Sequence, residues 1–134
     1  MPGIDECLLE AMTLPGARGA AVVDWASGLA LGAVGDPAGG DHETTAAETA
    51  ELARVAAEHT AFTAPCPGGA GKPDEGDPVE DLVVTTRTGY HLLRFVERVL
   101  DDSLLIHLWL DRDDGNLALA RIRLRDLAER LVLA

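Results

Sequence analysis

The residues that could carry chemistry are few and scattered. His42, His59, His91 and His107 fall at a helix start, on a helix face and in two strand-like segments, with no HxH or HxxxH spacing to hold a metal. His91 and His107 are the exception worth weighing, because neighbouring strands would bring them together. With Asp111 close by, they would form a general-base arrangement. A base also needs a pocket and a nucleophile, so two histidines hydrogen-bonded within a sheet are the simpler expectation. GGAGK at 68–72 has the look of a phosphate loop, but the motif needs glycine where Cys66 stands and Ser or Thr where Pro73 stands. DRDDGN at 111–116 begins like a calcium loop, yet its glycine comes one place early and Ile122 occupies the position of the closing glutamate. A polar turn capping a helix is expected there instead.

The remaining nucleophiles lack a setting. Ser27 has no GxSxG context, Ser103 lies in an acidic turn, and Cys7 and Cys66 form no CxxC pair, so both thiols are expected to be reduced and structural. The carboxylate pairs Asp101-Asp102 and Asp113-Asp114 sit in turns, where solvation explains them. These patterns predict neither a metal nor a cofactor, and they argue against an enzyme.

Composition narrows the partners. The chain has 134 residues, 47% of them hydrophobic and only 4% aromatic, so alanine, leucine and valine must build a core the size of one domain. A formal net charge of −12 would repel phosphate backbones and anionic lipid, which disfavours nucleic acid and membrane insertion. The opening MPGIDECLLE is acidic where a signal peptide would be basic, and a cytoplasmic protein is expected.

The elements that must position any site follow from periodicity. Ile4, Leu8, Leu9 and Met12 recur at helical spacing before Pro15-Gly16 stops the helix. GAAVVDWASGLALGAV, residues 19–34, reads as a hairpin whose connection Ala26-Ser27-Gly28 ends in a left-handed glycine. If Trp25 faces Leu29, one strand face carries Val23, Trp25, Leu29 and Leu31 and the other Ala20, Val22, Ala30 and Gly32. Both faces are apolar, so both should be covered.

Residues 42–62 read as one long helix. Ala46, Ala50, Ala53, Ala57 and Ala61 form a stripe, Leu52, Ala56 and His59 form a second, and Glu51, Arg54 and Glu58 line the polar side. Two apolar stripes imply two neighbours, the sheet and a second copy of the same helix. The segment 64–78 is proline, glycine and charge, the composition of a flexible loop. Residues 79–96 form a second hairpin, turning at Thr88-Gly89, with Val84 paired to Leu93 and Leu82 to Phe95. Val83, Thr85, Leu92 and Arg94 then share the other face. SLLIHLWLD, 103–111, is a fifth strand. In the tail, Leu117, Ala120, Leu124, Leu127 and Leu131 follow a three-four spacing, and the length of the segment selects a helix over a strand.

This order resembles the roadblock family, the dynein-light-chain-like domains that in bacteria accompany small Ras-like GTPases. The resemblance rests on GARGAAVVDWASGLALGAV, the alanine-rich helix, LVVTTRTGYHLLRF, SLLIHLWLD and LARIRLRDLAERL, and it spans nearly the whole chain as a single domain, 1–134. It implies an α+β fold, a five-stranded antiparallel sheet flanked by helices in the order α-β-β-α-β-β-β-α. It also implies a homodimer or a pairing with a roadblock paralogue through the third strand and second helix. For this chain that places Ala46, Ala50, Ala53, Ala57, Val83 and Thr85 at the dimer interface, and Glu51, Arg54 and Glu58 on the surface for a Ras-like small GTPase. Arg54, Arg112 and Arg87 are the arginines expected to be exposed enough for a finger in trans. The functional expectation is a non-catalytic regulator or scaffold acting by nucleotide-state-dependent contact. A PAS- or profilin-like small-ligand sensor, or a purely structural heterodimer subunit, is the alternative.

Overall fold

Leu8, Cys7 and Ala11 lie on one side of a helix and alternate with acidic residues, which is why 4–11 coils rather than extends. The computed structural model describes residues 3–63, 79–96 and 103–133. The 64–78 segment, with GGAGK and Cys66, and the Asp101-Asp102 pair lie outside the described residues. The elements run α1 (Ile4–Ala11), β1 (Ala17–Asp24), β2 (Leu29–Gly35), α2 (His42–Glu58), the single turn α3 (Thr60–Thr63), β3 (Asp81–Thr85), β4 (Gly89–Phe95), β5 (Leu104–Asp111) and α4 (Leu117–Leu133). The strands form one antiparallel sheet in the order β2-β1-β5-β4-β3, with the most buried strands, β1 and β5, inside it.

Both sheet faces are covered, as the two apolar faces of the first hairpin require. On one side α1 and α4 bury Leu8, Ala11, Leu124, Leu127 and Leu131 against Ala20, Val22, Leu92, Ile106, Leu108 and Leu110. On the other, Ala46, Ala50 and Ala53 of α2 meet Ala21, Val23, Leu93, Phe95 and Leu105. Alanine lets the helix approach the sheet closely. Asp41 caps α2, its side chain accepting the Thr44 N–H, and those hydrogen bonds hold its carboxyl below the usual range. Helix α2 ends at Glu58 because His59 turns extended (φ −81°, ψ 134°), so the single helix expected over 42–62 is two pieces.

Both hairpins differ from expectation in register. In the first, Asp24 rather than Trp25 pairs with Leu29, and Gly28 takes the left-handed conformation (φ 82°). The register then slips between Val22, opposite Gly32, and Val23, opposite Ala30. This bulge inserts Leu31 as an extra residue and leaves Leu29 and Leu31 exposed instead of sharing a core face with Val23. In the second hairpin Leu82 pairs with Leu93 and Val84 with His91, two residues from the expected pairing, so every side chain keeps its face. Its turn is Arg87-Thr88, closed by Thr86 N–H to Gly89 O (2.8 Å) and by the Thr86 hydroxyl accepting from Gly89 N–H (2.9 Å). Gly89 serves another purpose: a Cβ there would stand 2.4 Å from the Leu110 carbonyl oxygen, so glycine permits β4 to close on β5.

Candidate functional site

Helix α2 packs mainly over β2 and β1, and among the described residues it leaves the Val84 and His91 end of β3 and β4 less covered than Leu93 and Phe95. Between helix and sheet runs a groove of about 320 Å³, with Thr45, Glu48, Thr49 and Leu52 on the helix wall and Val84, Thr86, His91 and His107 on the sheet. The strand register brings His91 opposite Trp109 and one step from His107. The two imidazoles stack with centroids 5.3 Å apart and share a hydrogen bond between His91 Nδ1 and His107 Nε2 of 3.0 Å. His91 also stacks on Trp109 at 5.8 Å. Burial pushes His107 from 6.5 down to about 4, with the charges of His91 and His42 adding to it, and burial lowers His91 as well. Both rings are therefore neutral at pH 7, one donating to the other.

This is the pairing expected of two strand histidines in a sheet. Asp111 pairs with Gly89 at the far end of the ladder, four residues along β5 from His107. That is about 13 Å along an antiparallel strand, so the general-base arrangement is not assembled. Nor is a nucleophile offered: the Ser27 hydroxyl donates to Asp24 O (3.4 Å) and accepts from Leu29 N (3.3 Å) within its turn. Asp111 Oδ1 accepts from Asp113 N, and Asn116 Oδ1 accepts from Leu119 N (3.0 Å), the helix-capping use expected of DRDDGN. Cys7 is buried and burial raises its thiol pKa. Among the described residues no group of three His, Cys, Asp or Glu side chains is placed to hold a metal.

Most of the alanine stripe is used within the chain, Ala61 in α3 being exposed. Ala46, Ala50 and Ala53 are buried against the sheet, with Ala57 partly buried beside them, so these residues face the chain's own core and not a second copy. The other stripe is only partly filled: Ala56 is buried, but Leu52 is 42% and neighbouring Val55 48% exposed, flanked by exposed Glu51 and Glu58. Periodicity signals two stripes but cannot say which one the sheet takes. Packing decides, because the smaller side chains allow the closer approach. Val83, Val84 and Thr85 are exposed on β3, an edge of the sheet. Arg54 is half-buried and donates from Nη1 to Trp25 O (2.8 Å), pinning α2 to the first hairpin. Arg112 donates to Thr86 O (2.7 Å) and lies over the Tyr90 ring. Of the three arginines expected to be exposed, Arg87 at the β3–β4 turn and Arg112 are exposed, and Arg54 is half-buried. Nothing in local sequence marks Arg54 or Arg112 as tethers, since each reaches a carbonyl distant in the chain.

The sequence matches no protein-family model and no curated protein. Solved structures do match. MglB of Myxococcus xanthus superposes with a TM-score of 0.73 over 96% of this chain and 91% of that one, at 12% identity. A Roadblock/LC7 domain from Streptomyces avermitilis gives 0.63 over 95% and 92%, at 18% identity. The chain has the roadblock fold. MglC of Myxococcus xanthus, at 0.60 and 21% identity, covers 97% of each chain. At these identities the likeness is one of roadblock architecture, the order α-β-β-α-β-β-β-α with one added turn, α3. No helix among the described residues is long and apolar enough to cross a membrane.

Proposed function

We propose that this chain is a non-catalytic regulator or scaffold for a Ras-like small GTPase, acting as a pair with a second copy or a roadblock paralogue. The observation that supports the reading is an exposed apolar surface: Leu52 and Val55 on the outer side of α2, and β3, which among the described residues is an edge strand with Val83, Val84 and Thr85 exposed. A two-fold partner would extend the sheet across β3, close the groove over the histidine pair and bury the leucine stripe of both helices. One solved roadblock structure of this shape is described as MglB with a tetrameric arrangement, which supports self-association as a use of the fold.

The GTPase would meet the Glu51, Arg54 and Glu58 side of the paired helices, through the exposed Glu51 and Glu58 with Arg54 half-buried between them. It would be regulated through different affinities for its GDP and GTP states, since a partner shifts a conformational equilibrium only by binding its states unequally. Catalysis by an arginine finger has little support, because Arg54 and Arg112 are held by carbonyls of their own chain. A pull-down with the tagged protein, run with GDP and with a non-hydrolysable GTP analogue, tests this. Enrichment of a small GTPase in one arm supports the reading; its absence from both removes it. The open groove favours one second reading, a small-ligand sensor, because about 320 Å³ is room for a small molecule. A retained compound in native mass spectrometry would select it.

A further inference from the structure

On the opposite face of the sheet α4 packs over β4 and β5 and, among the described residues, reaches β3 through Arg121 to Asp81. Along that side the helix presents Ala118, Arg121, Ile122 and Arg125, which with Glu80, Asp81 and Arg94 line an open groove of about 370 Å³. Three guanidiniums thus line one groove in a chain of formal net charge −12. Asp81 holds Arg121 side-on, through Nε at 3.0 Å and Nη2 at 3.4 Å. That uses two of the five N–H donors of a guanidinium and leaves three for an outside acceptor. Arg94 Nε is buried with no hydrogen-bond partner, the sole such side-chain atom found among the described residues. A buried donor without an acceptor is costly, and of the two carboxylates lining the groove beside Arg94, Asp81 is engaged by Arg121 and Glu80 does not reach Nε. Ile122, 53% exposed between Arg121 and Arg125, adds an apolar contact.

We propose that this groove docks an extended acidic segment of a partner protein, its carboxylates held by Arg94, Arg121 and Arg125 and an apolar side chain resting on Ile122. The Glu80 and Asp81 carboxylates in the groove argue for single carboxylates spaced along a chain, because a phosphate would concentrate two negative charges beside them. The groove lies across the sheet from α2, so this contact is separate from the proposed GTPase surface, while its Asp81 wall belongs to β3, the edge at which pairing is proposed.

The test uses the full chain and a fluorescein-labelled, glutamate-rich peptide carrying one leucine, followed by fluorescence anisotropy at low salt. Saturable binding is expected, weakened at least about tenfold by Arg125→Glu and by high salt, as charge contacts require. Arg123→Glu, on the same helix but outside the groove, should leave it unchanged. Circular dichroism confirms that both variants fold, as substitution of exposed residues predicts. Equal binding by wild type and Arg125→Glu, or no binding by either, would overturn the proposal. So would displacement of the peptide by inorganic phosphate more readily than by unlabelled peptide, which would make the groove a simple anion site.

Discussion

Lowering the pH should destabilise this protein through one histidine. His107 is buried, and its pKa falls from 6.5 to about 4 on folding. Because the folded value is depressed, the unfolded chain takes up the proton first. The contribution is therefore fully present above pH 6.5 and is lost as pH falls toward 4. Moving from about pH 7.5 to about pH 5 should cost about 2 kcal/mol from this residue alone. A folded pKa one unit higher would change that by only a few tenths, since the unfolded imidazole dominates the difference. His91, lowered in the same direction, adds to it.

The perturbation that isolates the effect is His107→Gln, whose side-chain amide can stand where Nε2 now meets His91 Nδ1. Urea unfolding of both proteins at the two pH values gives four free energies, and their double difference cancels the carboxylates common to both. The wild type should lose about 2 kcal/mol more than the variant on acidification. A double difference below about 0.5 kcal/mol would refute the reasoning, as would an NMR titration that places His107 near its unfolded value.

Two glycines separate close approach from backbone conformation. Gly89→Ala puts a methyl 2.4 Å from the Leu110 carbonyl oxygen between two central strands, and should cost about 3 kcal/mol in urea unfolding. Gly28→Ala meets nothing closer than Ala47 Cα at 3.8 Å but keeps φ at 82°, so it should cost only about 1 kcal/mol of left-handed strain. Leu52→Asp should leave the unfolding midpoint of the isolated chain nearly unchanged, since Leu52 is substantially exposed, and should abolish pairing in sedimentation equilibrium. A variant that still pairs would move the seam away from α2. Arg54→Ala should loosen α2 from the first hairpin by about 1 kcal/mol through loss of the bond to Trp25 O, whether or not a GTPase is bound.

Periodicity by itself determined the kinds of element and the faces they present. The three-four spacing of Leu117, Ala120, Leu124, Leu127 and Leu131 makes the last segment a helix, and the apolar residues on both faces of β1 and β2 require helices on both sides of the sheet. These are local properties, because a helical or strand repeat is written in neighbouring residues. Even the shifted register of the second hairpin kept its faces, since a displacement of two preserves the pleat. The approach of His91 and His107 was legible for the same reason: each sits on an apolar strand, and adjacent strands needed only to align.

Tertiary structure alone decided the rest. Whether the alanine or the leucine stripe of α2 meets the sheet depends on how closely two surfaces can pack, which no single helix encodes. The bulge that expels Leu31, the capture of Arg54 by Trp25 O and the use of Gly89 against Leu110 each join residues distant in sequence or set by a neighbour's geometry. The arginine groove is of the same kind. Arg94 comes from a strand, Arg121 and Arg125 from a helix that starts more than a strand away, and only the folding of α4 over the sheet puts their charges in one place.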